Sequence, residues 1–161
     1  MNTSSKMPIR FVGLICLISV VFMVFSLSKD PSPAFVPPPF DASAQSGVPS
    51  VPEDLGYGEV DAKVFRVSVC GVIQAQDGFA DLWLTNPAEN DLWLKVRMLD
   101  AEGKTLGETG LIKPGEYVQS VSLAETPPPN AEITLKIMSY EPETYASAGA
   151  VSLNTTIQPS S

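Results

Sequence analysis

Histidine is absent from all 161 residues, and with it go the commonest general base and the commonest metal-ligating side chain. Serines are plentiful, but without histidine only a Ser–Lys pair could stand in for the usual nucleophile and base. The lysines after residue 57 fall on turns or outward strand positions. The chain is therefore predicted not to be an enzyme and to carry no cofactor. Cysteine is scarce as well. Cys16 lies in a hydrophobic block and Cys70 in a predicted strand, so the two are not expected to bridge, and Cys70 reads as a small buried hydrophobe. An exported domain without disulfides fits a bacterial exterior better than a small eukaryotic ectodomain. Basic residues are few beyond the N-terminus: from residue 57 onward seven Lys/Arg face fourteen Asp/Glu, a net of −7. That surface repels phosphate backbones and excludes nucleic acid as a partner.

What is present divides the chain into parts. Residues 11–27, FVGLICLISVVFMVFSL, are seventeen consecutive uncharged residues. As a helix they would span about 25 Å, short for a bilayer core, with Arg10 and Lys29 able to snorkel at its ends. Lys6, Arg10 and the amino terminus precede the block, while Asp30 offsets Lys29. The positive-inside bias therefore predicts a cytoplasmic tail at 1–10, one transmembrane helix at 11–27, and everything beyond it outside the cell. A cleaved signal peptide is the competing reading, with Ser26-Leu27-Ser28 or Ala42-Ser43-Ala44 as its cleavage site. The block is longer than a usual signal core and ends in bulky Phe22, Met23 and Phe25, which favours the anchor.

Residues 28–56 are dense in proline, which blocks helix and sheet ladders, and they read as a disordered, extended linker. From 57 to 157 the pattern becomes short alternating runs separated by turn residues. Strands are predicted at 64–73, 79–86, 92–99, 105–109, 117–123, 133–140 and 148–157, leaving 158–161 as a tail. Leu92, Leu94, Val96 and Met98 share one strand face, and Trp93, Lys95 and Arg97 the other. Gln76-Asp77-Gly78 and Lys113-Pro114-Gly115-Glu116 are turn signals, the second of type II. About seven short strands in about a hundred residues predict an all-β fold, an immunoglobulin-like two-sheet β-sandwich behind the membrane helix and linker.

Asn86-Pro87, the run LWLKVRMLDAEGKTLGE, and IKPGEYV at 112–118 together resemble the immunoglobulin-like modules of bacterial envelope proteins, of the FxLYD and CARDB type. The resemblance covers about forty residues and lies in turn chemistry. It implies a fold and a place among adaptors, spacers and interaction domains, and it transfers no catalytic residues. The antibody pattern of paired cysteines around a tryptophan is missing.

Candidate binding residues are aromatic. Trp83 and Trp93 lie opposite the leucine faces of their strands, and a hairpin centred on Ala88 would set them across from each other. The same register would match Asp81 to Lys95 and Phe79 to Arg97. In the usual immunoglobulin topology the two strands belong to different sheets and the tryptophans separate. The loop YEPETYASAG at 140–149 offers Tyr140, Glu141, Glu143 and Tyr145 at one end of the fold. Asp77, Asp81, Glu89 and Asp91 cluster in sequence but lack calcium-loop spacing, so no metal site is assigned. The expectation is a membrane-anchored, extracellular, non-catalytic interaction or accessory module at the bacterial cell surface. Its partner would be a surface protein or wall glycan. The alternative is a secreted or released domain binding a small ligand, wall glycan or calcium.

Overall fold

The computed structural model describes residues 35–158. The predicted cytoplasmic tail, the membrane block at 11–27 and the last three residues lie outside the described residues. Within them the protein is all-β, and no helix is long and apolar enough to cross a membrane.

Among the described residues ten strands form one curled sheet: β1 (Gln45–Ser46), β2 (Tyr57–Asp61), β3 (Arg66–Cys70), β4 (Ile73–Gln76), β5 (Phe79–Asn86), β6 (Trp93–Leu99), β7 (Thr105–Glu108), β8 (Glu116–Ser122), β9 (Glu132–Tyr140) and β10 (Ser147–Gln158). One part joins β1, β8 and β5, with β4 and the β3–β2 pair also alongside β5. The other runs β10, β9, β6, β7. The two parts meet where the end of β10 runs parallel to β4, with Ile157 beside Ile73.

Period-two alternation closes the curl over a core. Ala80, Leu82 and Leu84 of β5 point inward, as do Leu94, Val96 and Met98 of β6 and Ile133, Leu135 and Ile137 of β9. Each such leucine or isoleucine contributes about 1.5–3 kcal/mol by leaving water. The turns follow local chemistry. Asp77 and Gly78 both take positive φ (53° and 81°) in a two-residue hairpin between Gln76 and Phe79. Pro114 and Gly115 (φ 78°) make the turn closed by the Glu116 N–H donating to the Lys113 carbonyl at 3.1 Å.

Asn86 ties the two parts together. Fully buried, its Nδ2 donates to the carbonyls of Leu92 and Ile112, both at 2.9 Å, and its Oδ1 accepts from Asn90 Nδ2 at 2.6 Å. Asn90 in turn holds both backbone groups of Arg66, at the start of β3. The asparagine turn is thus a hydrogen-bonded joint between β3, β5 and β6.

The structure differs from the sequence reading in three ways. The predicted strand at 64–73 is divided: β3 ends at Cys70 and β4 begins at Ile73, because the backbone turns at Gly71-Val72 to meet Leu55 and Gly56. A further strand, β2, stands at 57–61 on the edge. Residues 39–56, read as disordered linker, are laid along the sheet. Leu111 N donates to the Pro39 carbonyl and Asp41 N to the Leu111 carbonyl, both at 2.9 Å. Asp41 Oδ2 accepts from Gly110 N at 2.7 Å. Gln45 and Ser46 then pair with β8, and Leu55 is buried. Proline cannot donate to a ladder, but it accepts, and the residues between the prolines bring donors of their own. Proline density reports that a segment forms no ladder alone. It does not report whether the segment docks on another.

Candidate functional site

Trp93 opens β6 and stands in register with Tyr140, the last residue of β9. Its half-buried side chain is met by two other rings. The Phe40 ring approaches edge-on at 4.8 Å between centroids with planes 77° apart, and Tyr145 lies at 5.2 Å and 61°. Lys113 Nζ sits 4.5 Å above the Phe40 ring, within cation–π range. Phe40 is 40% exposed. Its place is fixed from behind, by the bonds that Pro39 and Asp41 make to Gly110 and Leu111 and by a parallel bridge from Phe40 to Leu111.

Tyr145 is delivered by a tight loop after β9. Glu141 N donates to the Ala146 carbonyl at 2.8 Å and Tyr145 N to the Glu141 carbonyl at 3.0 Å. The Thr144 hydroxyl donates to Glu141 Oε2 at 3.1 Å. Glu143 and Tyr145 both lie at positive φ, 67° and 57°, a region that side-chain-bearing residues enter at a cost. Glu141 and Glu143 are exposed on the loop, and the Tyr140 hydroxyl rests against Met138 Sδ at 3.7 Å.

Of the residues predicted for binding, the structure therefore brings Trp93, Tyr140, Glu141, Glu143 and Tyr145 to one corner of the sheet, and it leaves Trp83 out. The hairpin register that would set Trp83 across from Trp93 is not formed, because β5 pairs with β8, β4 and β3 while β6 pairs with β9 and β7. Lys95 and Arg97 meet Glu108 rather than Asp81 and Phe79: Lys95 Nζ lies 2.8 Å from Glu108 Oε1, and the Arg97 guanidinium 3.0 Å from Oε2. Trp83 stacks instead on Tyr117, 6.4 Å away with planes 20° apart.

Sequence reasoning missed Phe40, Lys113 and Tyr117. Phe40 stood in the presumed linker, and its distance from Trp93 in sequence hid the contact. Flanking aromatics in a proline run, Phe35 and Phe40 around Pro37-Pro38-Pro39, were the available signal.

Among the described residues three titratable groups are perturbed. Burial pushes the Cys70 thiol up to about 11, with the Asp81 and Asp54 carboxylates adding to the rise. Burial also raises the Asp81 carboxyl. At Glu108 burial works in the same direction, but hydrogen bonds and charge from Lys95 and Arg97 outweigh it and hold the carboxyl below its ordinary value. Among the described residues no group of three or more cysteine or acidic side chains is placed to hold a metal ion. Asp77, Asp81, Glu89 and Asp91 are thus not gathered into a cation site. Comparison of the chain with protein-family models, curated proteins and solved structures finds no match, so its functional reading rests on the residues above.

Proposed function

We propose that the chain is a membrane-anchored, non-catalytic interaction module of a bacterial cell surface, and that Phe40, Trp93, Tyr140 and Tyr145 are its protein-binding face. On this reading the curled sheet is an immunoglobulin-like two-sheet sandwich, of the kind found in FxLYD- and CARDB-type envelope modules. The apolar block at 11–27 holds it outside the membrane. In support of the sandwich, β5 and β6 fall in different parts of the sheet, and the core is filled from both.

The observation that carries the binding role is the convergence of aromatics from three stretches of chain on one accessible corner. Phe40 comes from the segment before β1, Trp93 from β6, and Tyr140 and Tyr145 from the end of β9 and its loop. Aromatic side chains dominate protein-interface energetics because they bring large apolar area with few rotamers to freeze. Lys113 and the carboxylates of Glu141 and Glu143 supply a charged rim.

The test is capture from intact cells expressing the full chain, beside a Trp93→Ala/Tyr145→Ala double variant. A defined partner retained by the wild type and lost in a folded double variant supports the proposal. Equal capture by both contradicts the binding face. Placement outside the cell is tested in the same cells with Ser50→Cys. Ser50 is exposed, so a membrane-impermeant maleimide should label it, and absence of labelling contradicts the orientation.

A further inference from the structure

Trp83 stacks on Tyr117 and packs against the core, but from an unfavourable backbone. Asp81 pairs with Ser120 and Leu84 with Val118, so between them β5 carries two residues, Leu82 and Trp83, against the single Gln119 of β8. The extra residue makes a β-bulge, and Trp83 absorbs it with φ 49°, inside the left-handed region. Glycine enters that region freely; a bulky side chain does so at a cost of about 1–2 kcal/mol. The polar end of the indole is poorly served as well. Its Nε1 is buried and has no hydrogen-bond partner among the described residues, a second unfavourable feature. Strain and an orphaned donor at one side chain, on a bulge that re-aims it, are what a placed functional group looks like.

Beside the ring is a recess of about 310 Å³ on the outer face of β4, β5 and β8, lined chiefly by Asp54, Gln74, Asp81, Trp83 and Gln119. Gln74 and Asp81 are cross-strand partners, so their side chains share that face. The side chains of Asp54, Gln74, Asp81 and Gln119 make no hydrogen bond to any described residue. Burial raises the Asp81 carboxyl, which marks it as partly dehydrated without a compensating donor.

The lining defines what would fit. Two carboxylates repel anions, and two coordinating acids with no third do not make a cation site. A purely apolar ligand would leave the amides unpaired. Glutamine amides both donate and accept, carboxylates accept, and an indole presents a flat apolar surface. That set complements a pyranose, whose hydroxyls both donate and accept and whose ring faces carry C–H groups. The volume stands at the lower end of the roughly 300–1,000 Å³ range of small-molecule sites. We propose that this recess is a binding subsite for a neutral saccharide, with Trp83 as the stacking surface and Gln74, Gln119 and Asp81 as the hydroxyl partners. It uses none of the residues of the Phe40–Trp93–Tyr145 corner and stands or falls independently of it.

The chain has two tryptophans, so Trp93→Phe in the full chain leaves Trp83 as the sole indole reporter. Its fluorescence is followed on titration with N,N′,N″-triacetylchitotriose and, separately, with maltotriose, each to about 10 mM. The expected result is a saturable change with at least one of them. Gln119→Ala in the same background should weaken binding about tenfold, as loss of one well-placed hydrogen bond does. Because the Gln119 side chain is exposed and bonds to nothing described, the thermal midpoint should not move. Gln74→Ala serves as a second variant should that midpoint shift. No saturable change with either sugar overturns the proposal. So does binding that neither glutamine substitution weakens.

Discussion

Trp93 and Tyr145 meet edge-on at 5.2 Å between ring centroids, although one opens β6 and the other ends a loop beyond β9. The contact exists because β6 and β9 lie side by side with Trp93 in register with Tyr140. The tight loop then folds Tyr145 back through a left-handed backbone. Phe40 completes the group, and its position depends on the bonds that Pro39 and Asp41 make to Gly110 and Leu111.

That dependence is testable at Gly110. A Cβ there would collide with the backbone of Phe40 and Asp41. Gly110→Ala should therefore lift the segment around Phe40 from the sheet, at a cost of about 1–3 kcal/mol. Asp41→Ala, which removes the acceptor of the Gly110 N–H together with that of the Ser43 N–H and hydroxyl but introduces no collision, should act in the same direction more weakly. Limited proteolysis between residues 39 and 47 and the Trp93 emission report both. An unchanged cleavage rate in Gly110→Ala would contradict the docking of that segment.

Asn86→Ala should destabilise the fold by about 2–3 kcal/mol. It removes the side-chain donor to the Leu92 carbonyl, one of the two donors to the buried Ile112 carbonyl, which keeps the Leu94 N–H, and one of the two acceptors of the Asn90 amide, which keeps the Arg66 carbonyl. Chemical denaturation measures the loss. A change below about 0.5 kcal/mol would mean that the joint is not cooperative with the core.

Much of this was legible in the sequence, and the reason is locality. Alternation and turn chemistry act over a few residues, so the strand at 79–86 matches β5 along its length, and the strands at 92–99, 105–109, 117–123, 133–140 and 148–157 fall within a residue or so of β6 to β10. Trp93, Tyr140 and Tyr145 were legible as candidates because they sit outward on strands or in a loop. Phe40 was not, since its bridge to Leu111 joins segments far apart in sequence and leaves no periodic trace. The bulge at Trp83 was equally hidden: a one-residue mismatch with β8 is a property of the pair, and neither strand shows it alone.

The ion group on β6 and β7 predicts an acid-side effect. The Glu108 carboxyl is held below its ordinary value in the fold, so its contribution is present above the unfolded pKa of about 4.3 and is lost as the pH falls through the lower folded value. Its side chain is 39% exposed, and solvent screening limits the pair to about 1 kcal/mol. Glu108→Gln should thus cost about 1 kcal/mol at pH 7, the gap to wild type closing as the pH drops below about 4. A gap independent of pH would assign the effect to packing of the buried Lys95 stem.

Cys70 predicts an alkaline-side effect of opposite sense. Burial, aided by Asp81 and Asp54, lifts its thiol to about 11, so the folded state holds the proton that the unfolded chain releases near pH 8.5. The stabilisation is complete below about pH 8.5 and is lost as the pH rises toward 11, at up to about 1.4 kcal/mol per pH unit. In Cys70→Ala that decline should be absent, so the two denaturation midpoints should converge with rising pH. Parallel curves would contradict it. In the folded chain the thiol should also resist maleimide at pH 7.5 until denaturant is added.

The central claim is that the Phe40–Trp93–Tyr145 corner contacts a partner protein at the cell surface. A photo-cross-linking amino acid placed at Tyr145 of the full chain in intact cells tests it most directly, with Val48, 90% exposed, as the control position. The account predicts a discrete protein adduct at Tyr145 that disappears with Trp93→Ala and does not form from Val48. Absence of an adduct at Tyr145, or the same adducts from both positions, would contradict it.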